Sequence, residues 1–439
     1  MPPAPLPPLL GSTRRDRVQA LLALLLCLWA GFTLLDPDPA ADLRALWLAA
    51  EAFAQGRTGA VYAADSTVFT MRPPEEWVAR LAAGVSAPVY PYLYPPLWVA
   101  LLAPLTGVLS FDTVTTAAAV LNMAALWLGL LLARRAVAGG GRRQMPPAGW
   151  LALGMTLMAA TLVGWVALAQ AQPQIVVAVL TVLAVERLAA GRDGQAGAVL
   201  ALAAALKLYP ALFALMLLAG GRWRGLGAFL LAGAGLAGLS VLLAGWPLHR
   251  LFLGQIALVS DTGFLTALNF NLDALAMQLF PPADAIRVMA VHSGPDPGAL
   301  DRGWVVAAKG PLWSAASRAA MLAVVLAYAF ALRRSRSPAL GWAGMMAALA
   351  LVSPLSWGYH YIAPALFAPA LVDRWGAARG GLALAAVFVP VSLPVLPVVK
   401  NLGGAIMAVQ VAGTAAMALL ALVLTVAQFR DGTDRPRGA

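Results

Sequence analysis

Cysteine, lysine, histidine and acidic side chains are all scarce in this chain. The single cysteine, Cys27, lies inside an apolar run, which removes any internal disulfide framework and any cysteine metal cluster. Charged residues make up only 11% of the sequence. Nearly all the basic ones are arginines scattered in short stretches between apolar runs, so the net charge of +11 does not mark a nucleic-acid binder. No HExxH pair, Walker loop or Cys/His ligand spacing is present, and Glu75-Glu76 is too little for an acidic metal site. No metal and no cofactor is therefore expected.

What remains is apolar. Hydrophobic residues reach 61% and the mean hydropathy is +0.79. Repeated apolar stretches of roughly 20 residues then imply an all-α polytopic membrane protein. Arginine placement orients it, because short cytoplasmic loops carry the positive charge. Val18 to Leu35 follows Arg14-Arg15-Asp16-Arg17 and reads as a retained first helix, not a cleaved signal. Pro95 to Leu109 contains three prolines and would invert the later arginines if it crossed, so it reads as a juxtamembrane helix at the outer interface. The remaining runs alternate to give about twelve crossings with both termini inside. On this reading residues 1–17 and 430–439 are cytoplasmic tails. Residues 18–429 form one membrane domain, with external loops at 36–110 and 246–311.

The same topology brings several polar residues to the outer face. Asp42 begins an apolar stripe of Leu43, Leu46, Trp47 and Ala50, which would set its carboxylate at the mouth of a cleft and raise its basicity. Glu51, further along, reads as solvated. Lys207 follows a long apolar run, a costly place for an ammonium unless it meets an anion or snorkels to water. Tyr209 puts a hydroxyl beside it, and Pro210 breaks the helix there, as happens where irregular backbone lines a cavity. His360, after Ser353-Pro-Leu-Ser356-Trp357-Gly-Tyr359, is either a structural histidine or a ligand for a phosphate oxygen. Gln172 and Gln174, flanking Pro173, cap a helix start or bond sugar hydroxyls. Asn269, Asn271 and Asp273 form a solvated turn or an acceptor contact, and Arg287 and Arg302 are further phosphate candidates.

Taken in order, Asp42 ahead of Gly56 and Val61-Tyr62, Tyr94-Pro95-Pro96-Leu97 with Pro104-Leu105, Gln172-Pro173-Gln174, Lys207-Leu208-Tyr209-Pro210 before Arg222-Trp223-Arg224, and Ser353-Pro-Leu-Ser356-Trp357 with His360 resemble glycosyltransferase family 87. These are GT-C-fold membrane enzymes that include mycobacterial phosphatidylinositol-mannoside mannosyltransferases. The chain departs from the family's usual pattern at Gln174, at Tyr359-His360 and in the stretch Asn269 to Asp273. The resemblance implies a GT-C-like fold and a polyprenyl-phosphate sugar as donor. It also implies a lipid or glycan hydroxyl as acceptor and inversion at the anomeric carbon. Asp42 is then the general base, Lys207, Tyr209 and His360 bind phosphate or orient the base, and Tyr94 and Trp357 stack on sugar or anchor the interface. Such an enzyme would lie among the lipids of a bacterial inner membrane, with its site facing the periplasm or exterior. A flippase or transporter for a lipid-linked sugar, or a non-catalytic scaffold, would carry some of the same residues.

Overall fold

The computed structural model describes residues 6–35, 40–63, 67–81, 88–138, 144–292, 303–402 and 405–429. Among the described residues, five helices are long and apolar enough to cross a membrane: Arg14–Thr33, Phe111–Ala136, Trp223–Ala244, Pro311–Leu332 and Ala408–Phe429. The chain is a multi-pass membrane protein. Helix starts follow local chemistry. Thr13 and Asp16 form a reciprocal capping box on the first helix, and the Ser110 hydroxyl accepts from the Thr113 backbone N–H on the next.

The expected twelve crossings do not follow from these helices. Several intervening segments are short and broken, including Leu97–Gly107, Pro147–Ala159, Asp193–Leu206, Tyr209–Ala219 and Pro338–Val352. At Lys207 the backbone turns extended, and Tyr209–Phe213 continues as a 3-10 turn with Pro210 near its start. Two short helices thus meet at a break beside Lys207.

The helix ends near the arginines are tied together by charge. Buried Glu186 pairs with Arg135 at 3.0 Å and with Arg187, Asp373 accepts from the Met145 backbone N–H at 2.9 Å, and Arg222 reaches Asp193 at 3.4 Å. In the bundle itself, helices Asp193–Leu206 and Trp223–Ala244 approach backbone to backbone at Gly197. A Cβ there would stand 1.9 Å from the Gly225 carbonyl oxygen, where no side chain can yield. Gly197→Ala is expected to destabilise the protein by about 2 kcal/mol, read as a lower midpoint of thermal unfolding in detergent; an unchanged midpoint would show that the two helices are not in close contact.

The opposite end carries a mixed cap, which corrects the all-α expectation. The second polar segment holds helices Trp246–Ser260 and Leu272–Leu279. It also holds three antiparallel strands, β1 (Thr262–Leu265), β2 (Ile286–Met289) and β3 (Gly303–Ala308), in the order β1-β3-β2. Thr262 pairs with Ala308, and Ile286 with Val306. Phe264, Val288, Trp304 and Val306 make the buried face. The first polar segment packs on it: the Phe69 N–H donates to Thr262 Oγ1 at 2.8 Å, Trp304 Nε1 donates to the Thr70 carbonyl at 2.8 Å, and the Val89 N–H donates to the Val291 carbonyl at 2.9 Å. The two polar segments therefore pack against each other as one unit. The strands escape sequence reading because each is short and β1 pairs with a strand about forty residues further on.

Candidate active site

The polar cluster of the cap is occupied in holding the fold. Asn269 donates to the Phe264 carbonyl, and its Oδ1 accepts from the Ser356 N–H at 2.8 Å. Asn271 Nδ2 donates to the Ser353 and Pro354 carbonyls at 2.8 and 2.9 Å, while its Oδ1 caps the Ala274 N–H. Asp273 is buried in an ion pair with Lys309 and also accepts from Trp313 Nε1 and Ser317 Oγ. The two asparagines thus fix the 353–357 turn from behind, and that turn carries Trp357, Tyr359 and His360 to the site.

Asp42 sits in the first turn of helix Ala41–Ala54, just after Ala40 in the left-handed region at φ 44°. This helix is not one of those long and apolar enough to cross a membrane. Asp42 Oδ2 accepts a hydrogen bond from Gln172 Nε2, and Gln172 Oε1 in turn accepts from the Tyr94 hydroxyl. Burial pushes the Asp42 carboxyl up to about 6, with the Gln172 hydrogen bond and the Lys207 ammonium pulling against it. The carboxylate is therefore basic enough to take a proton yet ionised at neutral pH.

Behind Tyr94 stands an aromatic wall. The Tyr62 hydroxyl donates to the Tyr94 carbonyl at 2.8 Å, the Tyr92 hydroxyl donates to the Pro95 carbonyl at 2.7 Å, and the rings lie 5.4 to 5.8 Å apart. Lys207 Nζ lies 5.6 Å from the Tyr94 ring centroid and 5.3 Å from that of Tyr359, so the ammonium is held between two π faces. Trp98 Nε1 secures the helix end before it by donating to the Leu206 carbonyl at 3.2 Å. Tyr209 and Tyr359 stand edge-on to the His360 ring at 5.8 and 5.0 Å. Gln174 Nε2 donates to the Tyr209 hydroxyl at 2.8 Å.

These groups converge on one cavity of about 720 Å³. Asp42, Tyr94, Gln172, Lys207, Tyr209 and His360 line its polar part, and Trp357 lines it as well. Its other part is apolar, bounded by Leu212, Phe213, Met321, Met346 and Leu349 from segments Tyr209–Ala219, Pro311–Leu332 and Pro338–Val352. Gln174 and Asn269 stand behind the lining and do not belong to it. Arg287 is on an exposed position of β2, also outside the lining, and Arg302 lies outside the described residues. His360 belongs to a 3-10 turn, Gly358–Tyr361, and does not head a long helix. Gln170, Tyr359 and Lys400 join the cavity without having been singled out in the sequence. Tyr359 could have been found from its position beside His360, and Lys400 from the rarity of lysine. Nothing in the sequence marks Gln170, whose Oε1 accepts from the Asp42 N–H at 3.4 Å. Among the described residues, no three metal-ligating side chains come together.

Fold and site define a class: a helical membrane protein with a mostly apolar cavity in whose lining one carboxylate, Asp42, lies near a lysine, Lys207. The family model for glycosyltransferase family 87 matches residues 92–354, and the chain belongs to that family. It is a membrane glycosyltransferase. No curated protein matches the chain. The matched region includes Tyr94, Gln172 and Lys207, whereas Asp42 and His360 fall outside it and reach the same cavity through the fold.

Proposed function

We propose that the protein transfers a hexose or pentose from a polyprenyl-phosphate donor to a hydroxyl of a lipid or glycan acceptor, with inversion at the anomeric carbon. The observation that carries this reading is the make-up of the cavity, where Asp42 and Lys207 stand in a mostly apolar lining that includes Leu212, Met321 and Met346 from apolar helices. A lipid phosphate sugar has the same two-part chemistry. Its prenyl chain enters from the bilayer along Leu212, Met321 and Met346, and its phosphate lies near Lys207, Tyr209 and His360.

In the transfer step the acceptor oxygen attacks the anomeric carbon from the side opposite the phosphate. As the new C–O bond forms, the bond from that carbon to the phosphate oxygen breaks, and the electron pair leaves with polyprenyl phosphate. The acceptor proton passes to Asp42. A phosphate departs without protonation, so one base suffices, and the cation beside it stabilises the charge that develops on the leaving oxygen. The arginine-rich helix ends fit the cytoplasmic side, which would put the site on the periplasmic or exterior face of a bacterial plasma membrane. Residues 18–429 then act as one catalytic membrane domain.

The test is transfer of radiolabelled sugar from polyprenyl-phosphate mannose, arabinose, galactose and glucose to membrane extract by the purified full chain. A labelled, Asp42-dependent product supports the reading. The helix break at Lys207 also favours a second reading, transport of a lipid-linked sugar; movement of labelled donor across vesicles without any transfer would establish that one instead. The pH dependence follows from Asp42. With the carboxyl at about 6, the rate should rise with pH as the base ionises, reach half its plateau near that pH and flatten above it. A rate that is flat from well below pH 5 would remove Asp42 as the titrating base.

A further inference from the structure

Gln172 and Gln174 flank one proline and are both fully buried, at 2% and 0% exposure, which is unusual for long polar side chains without a purpose. They are held in a tight turn. The Gln172 N–H donates to the Ala167 carbonyl at 2.8 Å, Ala171 adopts a left-handed φ of 47°, and Pro173, at φ −59°, caps the helix Gln174–Ala189. Their side chains reach different residues of the cavity lining, Gln172 to Asp42 and Gln174 to Tyr209.

The carboxylate sets the direction of the hydrogen bond at Gln172, whereas Gln174 places its Nε2 on the Tyr209 hydroxyl with its own Oε1 buried and unpartnered among the described residues. An ionised carboxylate only accepts, so Gln172 must turn its NH2 to Asp42 and its carbonyl to Tyr94, whose hydroxyl is then committed as a donor. That fixes Asp42 Oδ2 and leaves the other carboxylate oxygen for an acceptor hydroxyl. Gln174 does the reverse. Its NH2 occupies a lone pair of the Tyr209 hydroxyl, so the hydroxyl proton remains to be donated, and Tyr209 lines the cavity. A hydroxyl held in this way keeps its proton free to donate to a ligand in the cavity.

We propose that the Gln172-Pro173-Gln174 turn is a positioning yoke that aims two groups at once: the Asp42 carboxylate toward the acceptor hydroxyl and the Tyr209 O–H toward a phosphate oxygen of the donor. The inference rests on the proposed function for the identity of those two ligands. Both glutamines act as positioning residues, through Asp42 and through Tyr209. The titratable groups that face Asp42 are Lys207, Tyr94 and Tyr359, and His360 faces Lys207 in turn.

The proposal predicts a split between two variants. Gln172→Leu should lower kcat roughly tenfold to a hundredfold through misaligned attack. It should also move the acid limb of the pH profile to higher pH, because the ionised carboxylate loses a hydrogen bond. Binding of polyprenyl phosphate, used as the probe, should stay within about threefold. Gln174→Leu should weaken that binding about fivefold to tenfold, the loss of one oriented hydrogen bond, and leave the acid limb in place. Infrared titration of the carboxyl band that Asp42→Asn removes reads the first half without turnover. If both variants lose binding and kcat together, or neither moves its own readout, the yoke is wrong and the turn only supports the fold. If the wild type does not bind polyprenyl phosphate, the phosphate half falls with the donor reading, while the infrared titration still decides the carboxylate half.

Discussion

Asp42→Asn should lower sugar transfer about a thousandfold and leave polyprenyl-phosphate binding within a few fold. The substitution is nearly isosteric, and the asparagine carbonyl can still accept from Gln172, so the cavity keeps its shape. Only the ability to take a proton is lost, and a positioned general base is worth roughly 10²- to 10⁴-fold. The measurement is kcat for transfer at matched protein levels, with binding measured in parallel. The variant should also lose the acid limb near pH 6 that the wild-type carboxyl produces. Retention of more than a tenth of the wild-type rate would take Asp42 out of the chemistry. A loss of binding together with rate would point instead to a structural role, since the carboxylate is tied into the Tyr94–Gln172 chain.

The second large effect belongs to Lys207. Methionine is unbranched and one atom shorter, so it leaves the packing between Tyr94 and Tyr359 largely filled but removes the cation. If the ammonium stabilises charge developing on the departing phosphate, Lys207→Met should lower kcat/KM by roughly 10²- to 10³-fold. It should also leave a signature at Asp42. Lys207 holds that carboxyl down against the effect of burial, so without the cation the acid limb must move to higher pH. A snorkelling lysine with no ligand would produce neither result. Measuring kcat/KM across pH separates the cases, because loss of rate without movement of the limb would mean that the two groups do not share one site.

Some of this was legible residue by residue. Asp42 and Lys207 stand out because charge is costly beside long apolar runs, and a costly group that persists has a partner. Here they meet at one cavity, with Tyr94, Tyr209, Trp357 and His360 on its walls. The break at Lys207 was visible through Pro210. The roles of the amides were not. Gln172, Gln174 and Asn269 have the same chemistry in the sequence, and an amide can face a sugar, a carboxylate or a backbone carbonyl with equal ease. Three-dimensional placement gives Gln172 to Asp42, Gln174 to Tyr209 and Asn269 to the Ser356 backbone. Arg287 shows the same limit, since a lone arginine in a polar segment gives no sign of which strand face it will occupy.

Composition and periodicity by themselves determined that this chain is a helical membrane protein, because only apolar runs with their backbone bonds satisfied internally survive in a bilayer. The order of short motifs determined the family. Only the tertiary structure decided that the two polar segments close into a cap built on β1, β3 and β2, since the strands are only four to six residues long and carry little local signal. It also decided which polar side chains support the site and which line it. Hydrogen-bond partners are chosen by distance in space, and a sequence fixes the types of the groups without fixing that distance.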